Sequence, residues 1–373
     1  QNAGLKFMPD GTVIPLSDGQ IVTNEGCSSI SDINGNLLLY TDGKTVWDRN
    51  HVIMPNGVNL FGDPSSTQSG IIIPKPNSST IYYIFTVDEP HHENAAVYPN
   101  GFTGDYVEPA SLNVPLGDDG FNNGLNYSVV DLTVIGANGS VGDVVSKNNP
   151  LITYDTNVLG NEIKYKCSEK ITAISNPINN SLWVITHFIN KFYAFKVDET
   201  GVNMNPVIST VGANIGIAGY RRNAIGYLKA SPDGNKLAIA HQQNGNLTGG
   251  TAFATGRIEL FNFDVASGLV ANPFFIFPNI QPYGLEFSSS SEKLYATYRE
   301  DVEPNMNLVQ FDLLNPDIMA SKTLLYNASP LLLGIQLALN NKIYCSTNSD
   351  ILGVINNPDA NGLLCNYVHQ GQQ

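Results

Sequence analysis

Short apolar runs of strand length alternate with turn dipeptides along nearly the whole chain. Runs rich in Ile, Val, Tyr and Phe, such as IYYIFTV (Ile81–Val87) and LWVITH (Leu182–His187), lie between them. Asn-Gly occurs at Asn34, Asn56, Asn100, Asn123, Asn138, Asn244 and Asn361, and Asp-Gly at Asp10, Asp18, Asp42, Asp119 and Asp233. These dipeptides tolerate the positive φ angles that two-residue hairpin turns require. No segment keeps apolar residues at i, i+3, i+4 and i+7 for three turns, so helix is a minor component.

The runs also repeat. Strand, polar turn, strand is the unit, seen in SSISDINGNLLLYTD from Ser28, IIIPKPNSSTIYYIFTVD from Ile71 and TAISNPINNSLWVITH from Thr172. It returns in YLKASPDGNKLAIAH from Tyr227, GLEFSSSSEKLYATY from Gly284 and IQLALNNKIYCST from Ile335. Anchored at Asp32, Asn77, Asn179, Asp233, Ser290 and Asn340, the spacings are 45, 102, 54, 57 and 50 residues. A period near 50 with two or more strands per unit is the mark of a β-propeller. The expected fold is therefore all-β: one propeller of four-stranded antiparallel blades over residues 1–373, with seven blades favoured and six the alternative.

Two features need placing. The gap of 102 residues either hides a weak unit, with Tyr127–Val134 and Ser140–Lys147 as its hairpin, or makes those the outer strands of the second blade, displaced by an inserted loop. The segment from Glu89 to Asn126 has little repeat character, and loops of that length are functional or disordered. GLKFMPDGTVIPL (Gly4–Leu16) reads as a further hairpin, expected to pair with the C-terminal strands and close the ring. LWVITH is apolar on both faces, as a strand covered on both sides must be, whereas YSVVDLTV alternates like a half-solvated outer strand.

Charge narrows the partners. Lys and Arg number 19 against 33 Asp and Glu, a net charge of -14, with no basic cluster to track a nucleic-acid backbone or an anionic membrane. No run of 18 apolar residues encodes a membrane-spanning helix, so membrane insertion is not expected. The first residues carry no secretion signal, which has either been removed or never existed. A surface rich in Asn, Gly and Ser but poor in Lys leans towards an exported protein.

Candidate chemistry is sparse. Asp88, Glu89, His91, His92 and Glu93 cluster in DEPHHEN directly after a strand, a carboxylate and imidazole set suited to one metal, or else a solvated polar loop. His187 and His241 end the second strands of two units and are candidates for a shared ligand site at one rim, or for bonds to connectors. Tyr220, Arg221 and Arg222 form a compact basic-aromatic cluster able to clamp an anion, or to pair with local carboxylates. DINGN (Asp32–Asn36) and LGDDG (Leu116–Gly120) offer oxygens that calcium would accept, although turn chemistry explains the first fully. No cofactor is assigned, although the acidic surface as a whole would suit calcium. Of Cys27, Cys167, Cys345 and Cys365, the nearest pair, Cys345 with Cys365, would close a loop of about 20 residues and contribute roughly 3 kcal/mol if oxidised. No nucleophile elbow, P-loop, dinucleotide fingerprint or H-E-x-x-H motif is present, so no catalytic residue is assigned.

NEGCSSISDINGNLLLYTDGKTVWDRNHVIMPNG followed by GDPSSTQSGIIIPKPNSSTIYYIFTVD resembles the N-terminal β-propeller of Bacteroidetes cell-surface proteins exported by the type IX secretion system, the gliding-motility-associated group. GYLKASPDGNKLAIAH and LGVINNPDANGL are similar to later parts of that domain. The resemblance implies an extracellular or outer-surface location, a calcium-rich setting, contact with the secretion machinery and an adhesive role. The leading expectation is thus a non-enzymatic module that binds protein or glycan through its rim loops. Two alternatives stand beside it. One is a propeller enzyme, a lyase or lactonase-like hydrolase with metal-assisted chemistry at the channel mouth. The other is a structural subunit of a surface filament or secretion assembly.

Overall fold

A computed structural model of the chain describes residues 2–90, 122–155, 162–217, 220–244, 255–300, 305–328, 334–347 and 349–372. The elements are strands joined by tight turns, in the order of a β-propeller's successive antiparallel meanders. Strands β1 (Gly4–Phe7) and β2 (Val13–Leu16) pair with each other. Then come a three-stranded sheet of β3 (Ser28–Ser31), β4 (Leu37–Thr41) and β5 (Val46–Asp48), and a four-stranded one of β6 (Gly70–Pro74), β7 (Ile81–Val87), β8 (Leu125–Ile135) and β9 (Val141–Leu151). A five-stranded sheet holds β10 (Ile171–Asn176), β11 (Ser181–Phe188), β12 (Lys191–Asp198), β13 (Gly201–Val202) and β14 (Val207–Thr210), the last two both pairing with β12.

A continuous seven-stranded sheet follows: β15 (Leu228–Ala230), β16 (Lys236–His241), β17 (Gly256–Asp264), β18 (Leu269–Phe287), β19 (Lys293–Arg299), β20 (Met306–Asp312) and β21 (Thr323–Ala328). Its midpoint is the 19-residue β18, which pairs with β17 through Ile280 and then with β19 from Gln281 onward. It is therefore two four-stranded meanders that share one bent strand. Last stand β22 (Ile335–Leu337), β23 (Ile343–Cys345), β24 (Leu352–Ile355) and β25 (Tyr367–Gln372). Among the described residues helix is confined to α1 (Glu162–Tyr165), α2 (Tyr220–Ala224) and a 3-10 turn at Gly362–Cys365. No helix among the described residues is long and apolar enough to cross a membrane.

Turn chemistry does what the dipeptides foretold. Between β3 and β4 the Asp32 carboxylate accepts the backbone N–H groups of Asn34 and Asn36 at 2.9 and 2.8 Å, while Gly35 takes a φ of +80°. That carboxylate serves its own turn, as turn chemistry alone requires. LGDDG lies outside the described residues.

The long gap resolves as an insertion. Val87 pairs with Leu125 and Ile81 with Asp131, so β8 and β9 are the outer strands of the β6–β9 sheet and residues 88–124 join its second strand to its third. The ring-closing expectation is corrected: among the described residues β1 and β2 pair only with each other, and β25 pairs with β24. The uniform four-strand expectation is corrected too, since the β3 sheet has three strands and the β10 sheet five.

By packing the chain divides into two units. One comprises Gln1–Ile171, Ser175–Phe188 and Tyr193–Val207, the other Thr172–Ile174, Ile189–Phe192 and Ile208–Gln373. In the first, Leu39, Val46, Met54, Leu60, Ile84 and Val130 are fully buried together. In the second, Ile258, Leu285, Phe287, Leu294, Val309 and Phe311 do the same. Burying each such side chain is worth about 1.5–3 kcal/mol, which sets the sheets face to face.

All four cysteines are free thiols, which corrects the Cys345–Cys365 bridge. Cys345 sits opposite Gly353 of β24, and Cys365 ends the 3-10 turn before β25, its carbonyl accepting the Asn357 N–H at 2.9 Å. Both sulfurs instead fill one apolar cluster with Ile343 and Ile355.

Candidate functional site

In the first unit, polar side chains are buried where the strands of two sheets begin and end. Ser66, Thr67 and Ser69 lead into β6, and Ser168, Glu169 and Lys170 lead into β10, all nearly or wholly inaccessible. Asp88 and Glu89 follow β7, Asn122, Asn123 and Asn126 stand at the start of β8, and Thr186 and His187 end β11. The chain carries only 14% charged residues, so two charged side chains side by side at about 1% exposure mark an unusual investment.

Glu169 is held firmly. Its Oε2 accepts the Thr67 N–H at 2.9 Å and the Thr67 hydroxyl at 2.7 Å, and its carbonyl accepts the Gln68 N–H at 3.3 Å. Its Oε1 is buried with no hydrogen-bond partner, and so are Ser66 Oγ and Asn126 Oδ1. Burial, reinforced by the negative charges of Glu89 and Glu25, raises the Glu169 carboxyl well above the ordinary glutamate range despite the Thr67 bonds.

The next residue behaves oppositely. Burial lowers the Lys170 ammonium to about 7, against the attraction of Glu169 and Cys167. Burial, aided by Lys170, lowers His187 to about 3, so its imidazole is neutral at physiological pH. The backbone is fixed around them: Ser168 donates its N–H and hydroxyl to the His187 carbonyl at 3.2 and 2.5 Å, and Thr186 donates to the Lys170 carbonyl at 2.5 Å. Asp88 accepts the N–H groups of Asn123 and Glu89 at 2.6 and 2.9 Å, closing the two ends of the insertion onto each other. The arrangement sets a carboxyl that burial makes a weaker acid next in sequence to an amine that burial makes a weaker base, a pairing suited to proton transfer.

Sequence reasoning reached part of this. Asp88, Glu89 and His187 fall in the cluster, while His91, His92 and Glu93 lie outside the described residues. Among the described residues no three His, Cys, Asp or Glu side chains group as metal ligands. Asp88 accepts backbone N–H groups with both carboxylate oxygens. His241 does end the second strand of its sheet, as expected, and is buried in the other unit. Arg222 is exposed, and the side chains of Tyr220 and Arg221 lie outside the described residues. Thr67, Glu169 and Lys170 were missed. The available signal was a charged Glu-Lys pair set directly before the apolar strand ITAISN.

No protein-family model matches the chain, and no curated protein matches its sequence. Solved structures share its fold. A proposed 6-phosphogluconolactonase of Bacteroides fragilis is 10% identical with a TM-score of 0.52, over 99% of this chain and 91% of that one. A periplasmic gluconolactonase of Pseudomonas aeruginosa is 13% identical with a TM-score of 0.45, over 100% of this chain and 86% of the other. The β-propeller domain of Cps50 from Myceliophteria thermophila is 11% identical with a TM-score of 0.47, over 93% and 90%. The fold is a β-propeller. The likeness to a proposed 6-phosphogluconolactonase speaks against the leading expectation of a non-enzymatic adhesion module, which had rested on the repeat, the missing catalytic motifs and the family resemblance.

Proposed function

We propose that the chain is a lactonase-type hydrolase that opens the ring of a sugar-acid lactone. The observation that carries this is Glu169, a wholly buried carboxyl anchored by Thr67, with one oxygen unpartnered and Lys170 next to it. The fold shared with a proposed 6-phosphogluconolactonase supports it by analogy. In lactone hydrolysis water adds to the carbonyl carbon and the ring C–O bond breaks. The water loses a proton and the departing ring oxygen gains one, giving a hydroxy acid. Glu169, whose carboxyl burial makes reluctant to lose its proton, donates to the ring oxygen, and the Lys170 amine, whose proton burial loosens, takes the proton that water gives up. Neutral His187 serves as a hydrogen-bonding neighbour rather than an acid.

A pH-stat assay with glucono-δ-lactone and its 6-phosphate tests this. Acid release should exceed spontaneous ring opening, and Glu169→Gln, which keeps an acceptor for Thr67, should lower the rate by about 100-fold or more. A wild-type rate equal to the spontaneous one refutes the assignment. We also propose that the protein works outside the cytoplasm as a type IX export cargo, supported by the resemblance carried by Asn24–Gly57 and by the Lys-poor surface. Fractionation of producing cells tests that, and a wholly cytoplasmic pool refutes it.

A further inference from the structure

A second polar group lies in the other unit, on one face of β16 and β17. Cross-strand register sets His241 opposite Arg257 and Ile239 opposite Glu259. Alternate residues of a strand share a face, so His241, Arg257 and Glu259 point the same way. Glu259 also stands opposite Phe275 of β18, whose ring is half-exposed and lies 5.7 Å from the Arg257 guanidinium. Gln243, buried at 4% exposure, lies two residues beyond His241, and the neighbouring Asn244 N–H donates to Thr255 Oγ1 at 3.0 Å, which holds this segment beside the start of β17.

Glu259 is 0% exposed. Its Oε2 accepts the Ala213 N–H at 3.1 Å, but its Oε1 is buried without a partner. Gln243 Oε1 and Arg257 Nε are also buried and unpartnered. A Cβ on Gly212 would come within 2.9 Å of Glu259 Oε2, so the chain passes close over the carboxyl at a residue with a φ of +91°. Three such groups left unmet along two neighbouring chain segments are costly, and native proteins avoid that.

Their chemistry selects the complement. A phosphate or carboxylate would suit Arg257 but face the oxygens of Glu259 and Gln243. A bare cation would suit those oxygens but meet the Arg257 charge. A hydroxyl both donates and accepts, so two adjacent hydroxyls satisfy all three groups, whichever protonation state Glu259 holds. The raising of the Glu259 carboxyl by burial favours its neutral form and a neutral ligand. Phe275 offers an apolar ring to the C–H side of such a molecule. We propose that Gln243, Arg257 and Glu259 form a subsite for a neutral polyol or sugar, bound through two neighbouring hydroxyls. It shares no residue with the acid of the first unit and does not depend on lactone hydrolysis.

Calorimetric titration with D-glucitol, and separately with D-gluconate, tests the site on the whole chain. Glucitol should bind saturably and more tightly than gluconate. Gln243→Leu, which removes the acceptor, and Arg257→Lys, which removes the Nε donor, should each weaken glucitol binding by about 10-fold. Glu169→Gln should bind glucitol as the wild type does. No saturable heat, a preference for gluconate, or unchanged affinity in both variants overturns the proposal and leaves the cluster holding solvent alone. If circular dichroism shows one variant unfolded, the other decides, and the glucitol-to-gluconate order is read on the wild type without any variant.

Discussion

A carboxyl group removed from water and set near two others resists losing its proton, and for Glu169 this ties stability to pH. Its value in the folded chain is raised, whereas in the unfolded chain it returns to about 4.3. Between those two values the folded state binds more protons than the unfolded one. Stability is therefore full below about 4.3 and is lost as pH rises towards the folded value, by about 1.4 kcal/mol for each pH unit of the window. Urea midpoints measured across that range should fall for the wild type and fall less for Glu169→Gln, whose amide does not ionise. Parallel slopes would show that Glu169 ionises freely. The sequence concealed this residue because its burial depends on a partner far along the chain: Thr67 lies 102 positions away. His187 was legible because it ends a strongly apolar strand, where burial follows from the pattern alone.

Elements were easier to foresee than sites, since a strand's signature is local. Asp32–Asn36 and the flanking apolar runs predict β3, its turn and β4 closely, and the Asp32 hydrogen bonds show why. The insertion after β7 was harder to place, because the two outer strands of that sheet lie downstream of a segment with no repeat. β18 was not legible as one element. Pro273, Asn279 and Pro282 interrupt its pattern, yet bulges absorb them while the strand changes partners. Near it Gly256 is hemmed in by backbone: a Cβ there would collide with the carbonyl oxygens of Gln242, His241 and Ile280. Gly256→Ala should cost about 1–3 kcal/mol by forcing strands apart. By contrast Gly11→Ala meets nothing within 4 Å, and its positive φ alone sets a cost of about 1 kcal/mol. Chemical denaturation of the two variants compares them, and equal losses would mean that β16 and β18 yield easily around residue 256.

Across the molecule, a net charge of -14 on a chain with 19 cations means that self-repulsion opposes compactness. Moving from low salt to about 0.15 M, where the screening length is about 8 Å, should raise the thermal midpoint by a few degrees. A fall instead would show that local attractive pairs such as Lys293 with Asp312, at 2.8 Å, outweigh the general repulsion. Fold class was readable at this scale from repeat spacing alone. Function was not, since the same blades serve binding proteins and enzymes and the difference lies in a few buried groups. The shared strand β18 carries one more consequence. Loss of its first part, up to Ile280, strips the ladder from β17, and loss of its second part strips that from β19, either way opening a hydrogen-bonding edge ready to capture another chain. Fragments divided there should therefore associate or precipitate, and the safer places to split the polypeptide are the connections on either side, before Leu228 or after Ala328.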